Sequence, residues 1–77
     1  MKYYLDARKM QTKDEAHEYL KYRMDFPEYY GKNLDALYDL LSEQDGVEVE
    51  IINVDDENEY IKQVAKVMKA AGVLVKG

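Results

Sequence analysis

The sequence predicts an α/β domain, a three-stranded parallel sheet packed with three to four helices in the order β-α-α-β-α-β. Three observations in its 77 residues carry this. Apolar residues alternate with a period of two over 47–51, short apolar runs stand at 3–5 and 73–75, and helical apolar stripes fill the segments between. Each crossover is long enough to hold a helix, which implies parallel strands with right-handed connections. No repeat, low-complexity run or linker interrupts the chain, so one domain spanning 1–77 is expected.

Residues 2–6 read as the first strand, with Tyr3 and Leu5 on one face and Tyr4 on the other. Thr12-Lys13-Asp14-Glu15 is a capping box that starts a helix carrying Ala16, Tyr19, Leu20 and Met24. That helix stops before Phe26-Pro27, because a residue preceding proline is pushed out of the α region. His17 falls off this stripe and reads as a surface residue without a role. Asn33 caps the second helix, whose apolar arc is Leu34, Leu37 and Leu41, with Ala36 and Leu40 beside it. Asp45-Gly46 turns the chain into Val47, Val49 and Ile51. The apolar run through Ile52 and Val54 suits a strand covered on both sides, although the helices are expected mainly on one face. Asp56-Glu57-Asn58-Glu59 caps a helix from about 57 to 71 that carries Ile61, Val64, Ala65, Met68 and Ala71, and Gly72 ends it. Val73-Leu74-Val75 is the last strand, and Lys2, Asp6 and Lys76 are placed to blunt the sheet edges.

Composition narrows the function. The chain has no cysteine, so it has neither disulfide nor thiolate metal site. Its first six residues are too soon interrupted by charge for a signal peptide, and no run approaches a membrane span, so a soluble cytoplasmic protein is expected. The net charge is −5, but residues 25–60 hold twelve of the sixteen acidic side chains and one of the eleven basic ones, Lys32. That segment carries a formal −11, which repels phosphate backbones and attracts cationic surfaces. A basic protein partner is expected, and nucleic acid and membrane are not.

The centre of interest is residues 27–41. Asp35 and Asp39 stack on the exposed face of the second helix, a like-charge spacing that costs a few tenths of a kcal/mol unless a partner supplies positive charge. An ordinary solvated face would read the same way. Catalysis has little support: neighbouring carboxylates in water lack separated proton affinities, and there is no cysteine, second histidine or phosphate loop. Asp55, Asp56, Glu57 and Glu59 lack calcium-loop spacing and are accounted for by the positive end of a helix dipole, so neither metal nor cofactor is expected. Tyr29 and Tyr30 sit in a loop between Pro27 and Gly31. With Tyr38 they would frame the two aspartates, as aromatic rings do at the centre of protein interfaces. Either tyrosine alone could instead be a core plug.

These same residues carry a resemblance. Pro27-Glu28-Tyr29-Tyr30-Gly31, then Asn33-Leu34-Asp35-Ala36-Leu37, Asp39 and Leu41, resemble the signature segment of the barstar family of intracellular ribonuclease inhibitors. The resemblance implies a barstar-like fold and a non-enzymatic inhibitor, monomeric when free, of a basic extracellular barnase-like ribonuclease. It implies that Asp39 enters the phosphate pocket of the nuclease as a phosphate mimic and that Asp35 adds a second carboxylate. Tyr29 and Tyr30 would pack on the nuclease, Gly31 and Asn33 would make close backbone and polar contacts, and Leu34 and Tyr38 would fill the surrounding surface. The chain departs from the family in holding Tyr38 where the best-known inhibitor has tryptophan. Aligned on Gly72, it holds Val67 where the family places a glutamate. A barstar-like binding or immunity module for a basic protein that is not a nuclease is the alternative.

Overall fold

A computed structural model describes residues 1–77. The elements are β1 (Lys2–Asp6), a 3₁₀ turn (Ala7–Lys9), α1 (Lys13–Arg23), α2 (Leu34–Ser42), β2 (Glu48–Ile52), α3 (Glu59–Ala70) and β3 (Leu74–Lys76). β2 is central, with β1 and β3 parallel to it on either side, as the order of the elements requires. Tyr3 pairs with Val49 and Leu5 with Ile51, while Val49 also pairs with Val75. One inward row therefore runs across all three strands.

The helices cover that face alone. Leu5, Val49 and Ile51 are buried together with Ala16 and Leu20 of α1, Leu37 and Leu41 of α2, and Ile61, Val64 and Met68 of α3. On the other face Tyr4 and Leu74 are about half exposed, at 51 % and 54 %. Ile52 and Val54, expected to lie in a strand covered on both sides, are exposed as well. The correction has a simple cause: Ile52 pairs with Asp6 in the open-face row, and β2 ends there. Adjacent apolar residues at a strand end do not require a second layer.

The edge of β1 is covered by α1 as well as by charge. On a parallel edge strand every second residue points its N–H and C=O away from the sheet. The Tyr19 hydroxyl accepts from Asp6 N at 2.9 Å, and Arg23 donates to Tyr4 O at 3.0 Å, so α1 side chains occupy the free edge of β1. Asp6 itself turns to Arg8, whose side chain holds that carboxyl well below the usual carboxylate range.

Local chemistry sets the helix ends. Thr12 Oγ1 accepts from Glu15 N at 3.2 Å and donates to the Glu15 carboxylate at 3.1 Å, so the expected cap forms, with the carboxylate on the Thr12 hydroxyl and not on its backbone N–H. α3 starts two residues later than expected because Asn58 caps it, accepting from Ile61 N at 3.1 Å. The same amide donates to the Ala7 and Met10 carbonyls and so pins α3 to the end of β1. α3 ends in a Schellman arrangement: Gly72 N bonds Lys69 O, Val73 N bonds Met68 O, and Gly72 takes the left-handed φ of +93° this needs.

Candidate functional site

The site is a short loop feeding a short helix. After α1, Asp25 reverses the chain at φ +54°, and Tyr30 N closes a turn onto Pro27 O at 3.0 Å. This turn sends the paired tyrosines in opposite directions. Tyr29 is 82 % exposed, whereas Tyr30 is 4 % exposed, with its ring 4.8 Å from that of Phe26. The expectation that both rings face a partner is thus corrected for Tyr30. Its ring fills the core beneath the loop, and it can act on a partner only by holding the backbone above it.

Gly31 and Asn33 shape the approach to α2. Asn33 Oδ1 accepts from Ala36 N at 2.8 Å and caps the helix, while its Nδ2 donates to Gly31 O at 3.2 Å. A Cβ at Gly31 would meet Ala36 Cβ at 3.3 Å, tighter than an ordinary contact, so the small residue lets the loop lie close on α2. Between them Lys32 adopts φ +54° and forms an ion pair with Glu18 of α1. That carboxylate raises the proton affinity of Lys32 and has its own lowered in return. The one cation within residues 25–60 is therefore committed elsewhere.

α2 buries Leu37 and Leu41 completely, half-buries Leu34, Ala36 and Leu40, and exposes Asp35, Tyr38 and Asp39. Asp35 and Asp39 lie one turn apart, about 6 Å along the axis. Neither forms an ion pair, and neither side chain accepts a hydrogen bond from the protein. The two carboxylates stand in water without internal counter-ions, with Tyr38 exposed on the same helix and Tyr29 exposed on the loop before it. They have no structural feature that would make one an acid and the other a base. Beside them, Lys13, Asn33, Leu34, Asp35, Tyr60 and Gln63 line an open depression of about 320 Å³. On α3, Val67 is half-buried against the core and adds no charge.

Two residues under the loop escaped the sequence reading. His17 is buried, not on the surface: its Nδ1 lies 2.6 Å from the Tyr30 hydroxyl and its Nε2 2.6 Å from the Tyr60 hydroxyl. The reason is helical geometry, since His17 stands three residues before Leu20 and seven before Met24, both buried on α1 and at its end. That spacing was the available signal. Tyr60, the first apolar side chain of α3, turns its hydroxyl to His17. Burial pushes the His17 imidazole below its ordinary value, and nearby Lys13 pushes the same way. Burial also pushes the Tyr30 and Tyr60 phenols up.

Fold and site together are those of a small α/β domain that presents an unpaired carboxylate pair on an exposed helix face. A family profile described as Barstar (barnase inhibitor) matches residues 1–72. The chain belongs to the barstar family. It is also similar to a Bacillus subtilis (strain 168) protein named "Putative ribonuclease inhibitor YrdF", with 47 % identity over 38 residues. That stretch covers 49 % of this chain and 42 % of the relative, so the chain aligns with less than half of the relative's length. No helix is long and apolar enough to cross a membrane.

Proposed function

We propose that this chain inhibits a basic, secreted microbial ribonuclease inside the cell that makes it, by occluding the active site as a monomeric single domain. Asp39 stands in for a substrate phosphate and pairs with the cationic side chains of the catalytic pocket. Asp35 supplies a second carboxylate one turn away. Tyr29 and Tyr38 pack around the pair and exclude water, which strengthens each charge contact. Leu34 lends apolar surface beside Asp35, and Gly31 and Asn33 bring the loop backbone within reach of the partner. Tyr30 holds that backbone from below. The chain forms and breaks no bond.

The observation that carries this reading is the exposed Asp35–Asp39 pair, which has no internal counter-ion while Lys32 is held by Glu18. Membership of the barstar family and the name of the Bacillus relative support it. The experiment is a titration of several basic secreted bacterial ribonucleases with the purified chain, reading residual activity. A basic protein that is not a nuclease serves as a binding control. Stoichiometric loss of activity in at least one nuclease is expected. Capture of the basic control with no loss of activity in any nuclease would replace the reading with that of a binding module for another basic protein.

A further inference from the structure

His17 is the only histidine, is fully buried, and bridges three elements: its own α1, the loop through Tyr30, and α3 through Tyr60. Counting donors and acceptors assigns its proton. Neutral imidazole offers one N–H and one lone pair. The Tyr30 hydroxyl is buried and has no hydrogen-bond partner other than His17 Nδ1, so its proton has nowhere else to go. Tyr60 borders the open depression it shares with Lys13 and Gln63, where its own proton can reach water. All groups are satisfied by one arrangement: Tyr30 O–H donates to Nδ1, and Nε2–H donates to the Tyr60 oxygen.

We infer that Tyr30, His17 and Tyr60 form a directed hydrogen-bond relay that holds the loop before α2 in its presented shape while His17 is neutral, and releases it when His17 gains a proton. His17 and Tyr60 are thus positioning residues for a surface they do not touch. A proton on Nδ1 faces the Tyr30 oxygen 2.6 Å away and turns the Tyr30 hydrogen into apolar surroundings with no acceptor. Tyr30 then keeps its place only by accepting from Nδ1 with its own proton left without an acceptor, and the turn from Pro27 to Gly31 rides on its ring. The groups bearing on the imidazole are few: Lys13 and Asp14 on α1, Tyr30 on the loop and Tyr60 on α3. Lys13 opposes the added charge and Asp14 favours it. The consequence for partner binding rests on the inhibitor reading; the relay itself is a property of the free chain.

The test is therefore made on the free, full chain by NMR. Ring nitrogen shifts at pH 7.5 are expected to show Nε2 protonated and Nδ1 bare. From pH 7.5 to 5, the amides of residues 29–33 are expected to titrate with the same midpoint as the His17 ring, below 6.5. His17→Gln keeps a donor and an acceptor but cannot take a proton, and its loop amides are expected to stay flat over that range. An Nδ1–H tautomer would overturn the relay, and so would loop amides that ignore the titration of His17 or still titrate in the glutamine variant. Should that variant fail to fold, the tautomer and the shared midpoint in the unaltered chain decide. Failure to inhibit any nuclease, with the relay intact, would count against the inhibitor reading alone.

Discussion

Asn33 links the loop to the helix that carries the proposed site, and its replacement separates two contributions. Asn33→Ala removes the acceptor for Ala36 N at 2.8 Å and the donor to Gly31 O at 3.2 Å. Losing an N-cap of this kind costs about 1 kcal/mol. The tie to Gly31 is solvent-exposed, so it belongs at the low end of the range for a hydrogen bond, about 0.5 kcal/mol. A domain of this length holds roughly 4–12 kcal/mol in all, so a loss of about 1.5 kcal/mol is a sizeable share. In a domain this small it lowers Tm by roughly 6–12 °C. Asn33→Asp keeps the capping acceptor, places its charge at the positive end of the helix dipole and loses only the donor, so it should remain within about 0.5 kcal/mol of the parent. Urea unfolding followed by far-UV circular dichroism suits a chain without tryptophan, and an unchanged slope would show that only stability has moved. An alanine variant as stable as the parent would refute the cap. An aspartate variant as weak as the alanine one would shift the energy to the Gly31 tie.

Other outcomes follow from the same contacts. Gly72→Ala has open space for its methyl but must hold φ +93°, so differential scanning calorimetry should show a loss of about 1–2 kcal/mol from the backbone alone. His17 is depressed in the folded state, so the unfolded chain takes up the proton first. Stability should therefore begin to fall as pH drops below the ordinary value of 6.5 and level off below the folded value. Asp6 and Glu18 are also depressed, and what they contribute above their ordinary values of 3.8 and 4.5 is lost on further acidification. Urea midpoints against pH should show two falls, and His17→Gln should abolish the upper one. Association with a basic ribonuclease, followed by stopped flow, should slow roughly tenfold or more from 10 to 150 mM salt as the charge of residues 25–60 is screened; a flat rate would remove steering from the account.

Much of the architecture was legible because it rests on short-range chemistry. The Asn33 cap and the stripe of Leu34, Leu37 and Leu41 place α2 without tertiary knowledge, and the alternation at Val49 and Ile51 finds β2. Legibility ended where no period operates. Tyr29 and Tyr30 are adjacent in an irregular loop, and only the turn closed by Pro27 O decides which ring goes inward. His17 was misplaced because a polar side chain on the flank of an apolar stripe is tolerated only when partners arrive from elsewhere. Its two partners come from residues 13 and 43 positions away. Ile52 was misjudged for the opposite reason: an apolar side chain at a strand end can be left in water without much cost.

The central claim is that Asp39 meets a cationic pocket. Its most direct measurement is an inhibition titration of one sensitive basic ribonuclease with Asp39→Ala and, as an acidic control away from α2, Glu57→Ala. Stripping one partner from a desolvated charge pair costs about 2–5 kcal/mol, a range to which the barnase–barstar pair itself contributes. Asp39→Ala should then weaken inhibition roughly thirty- to several-thousand-fold, with Glu57→Ala changing it less than about threefold. Equal effects of the two substitutions would contradict the account.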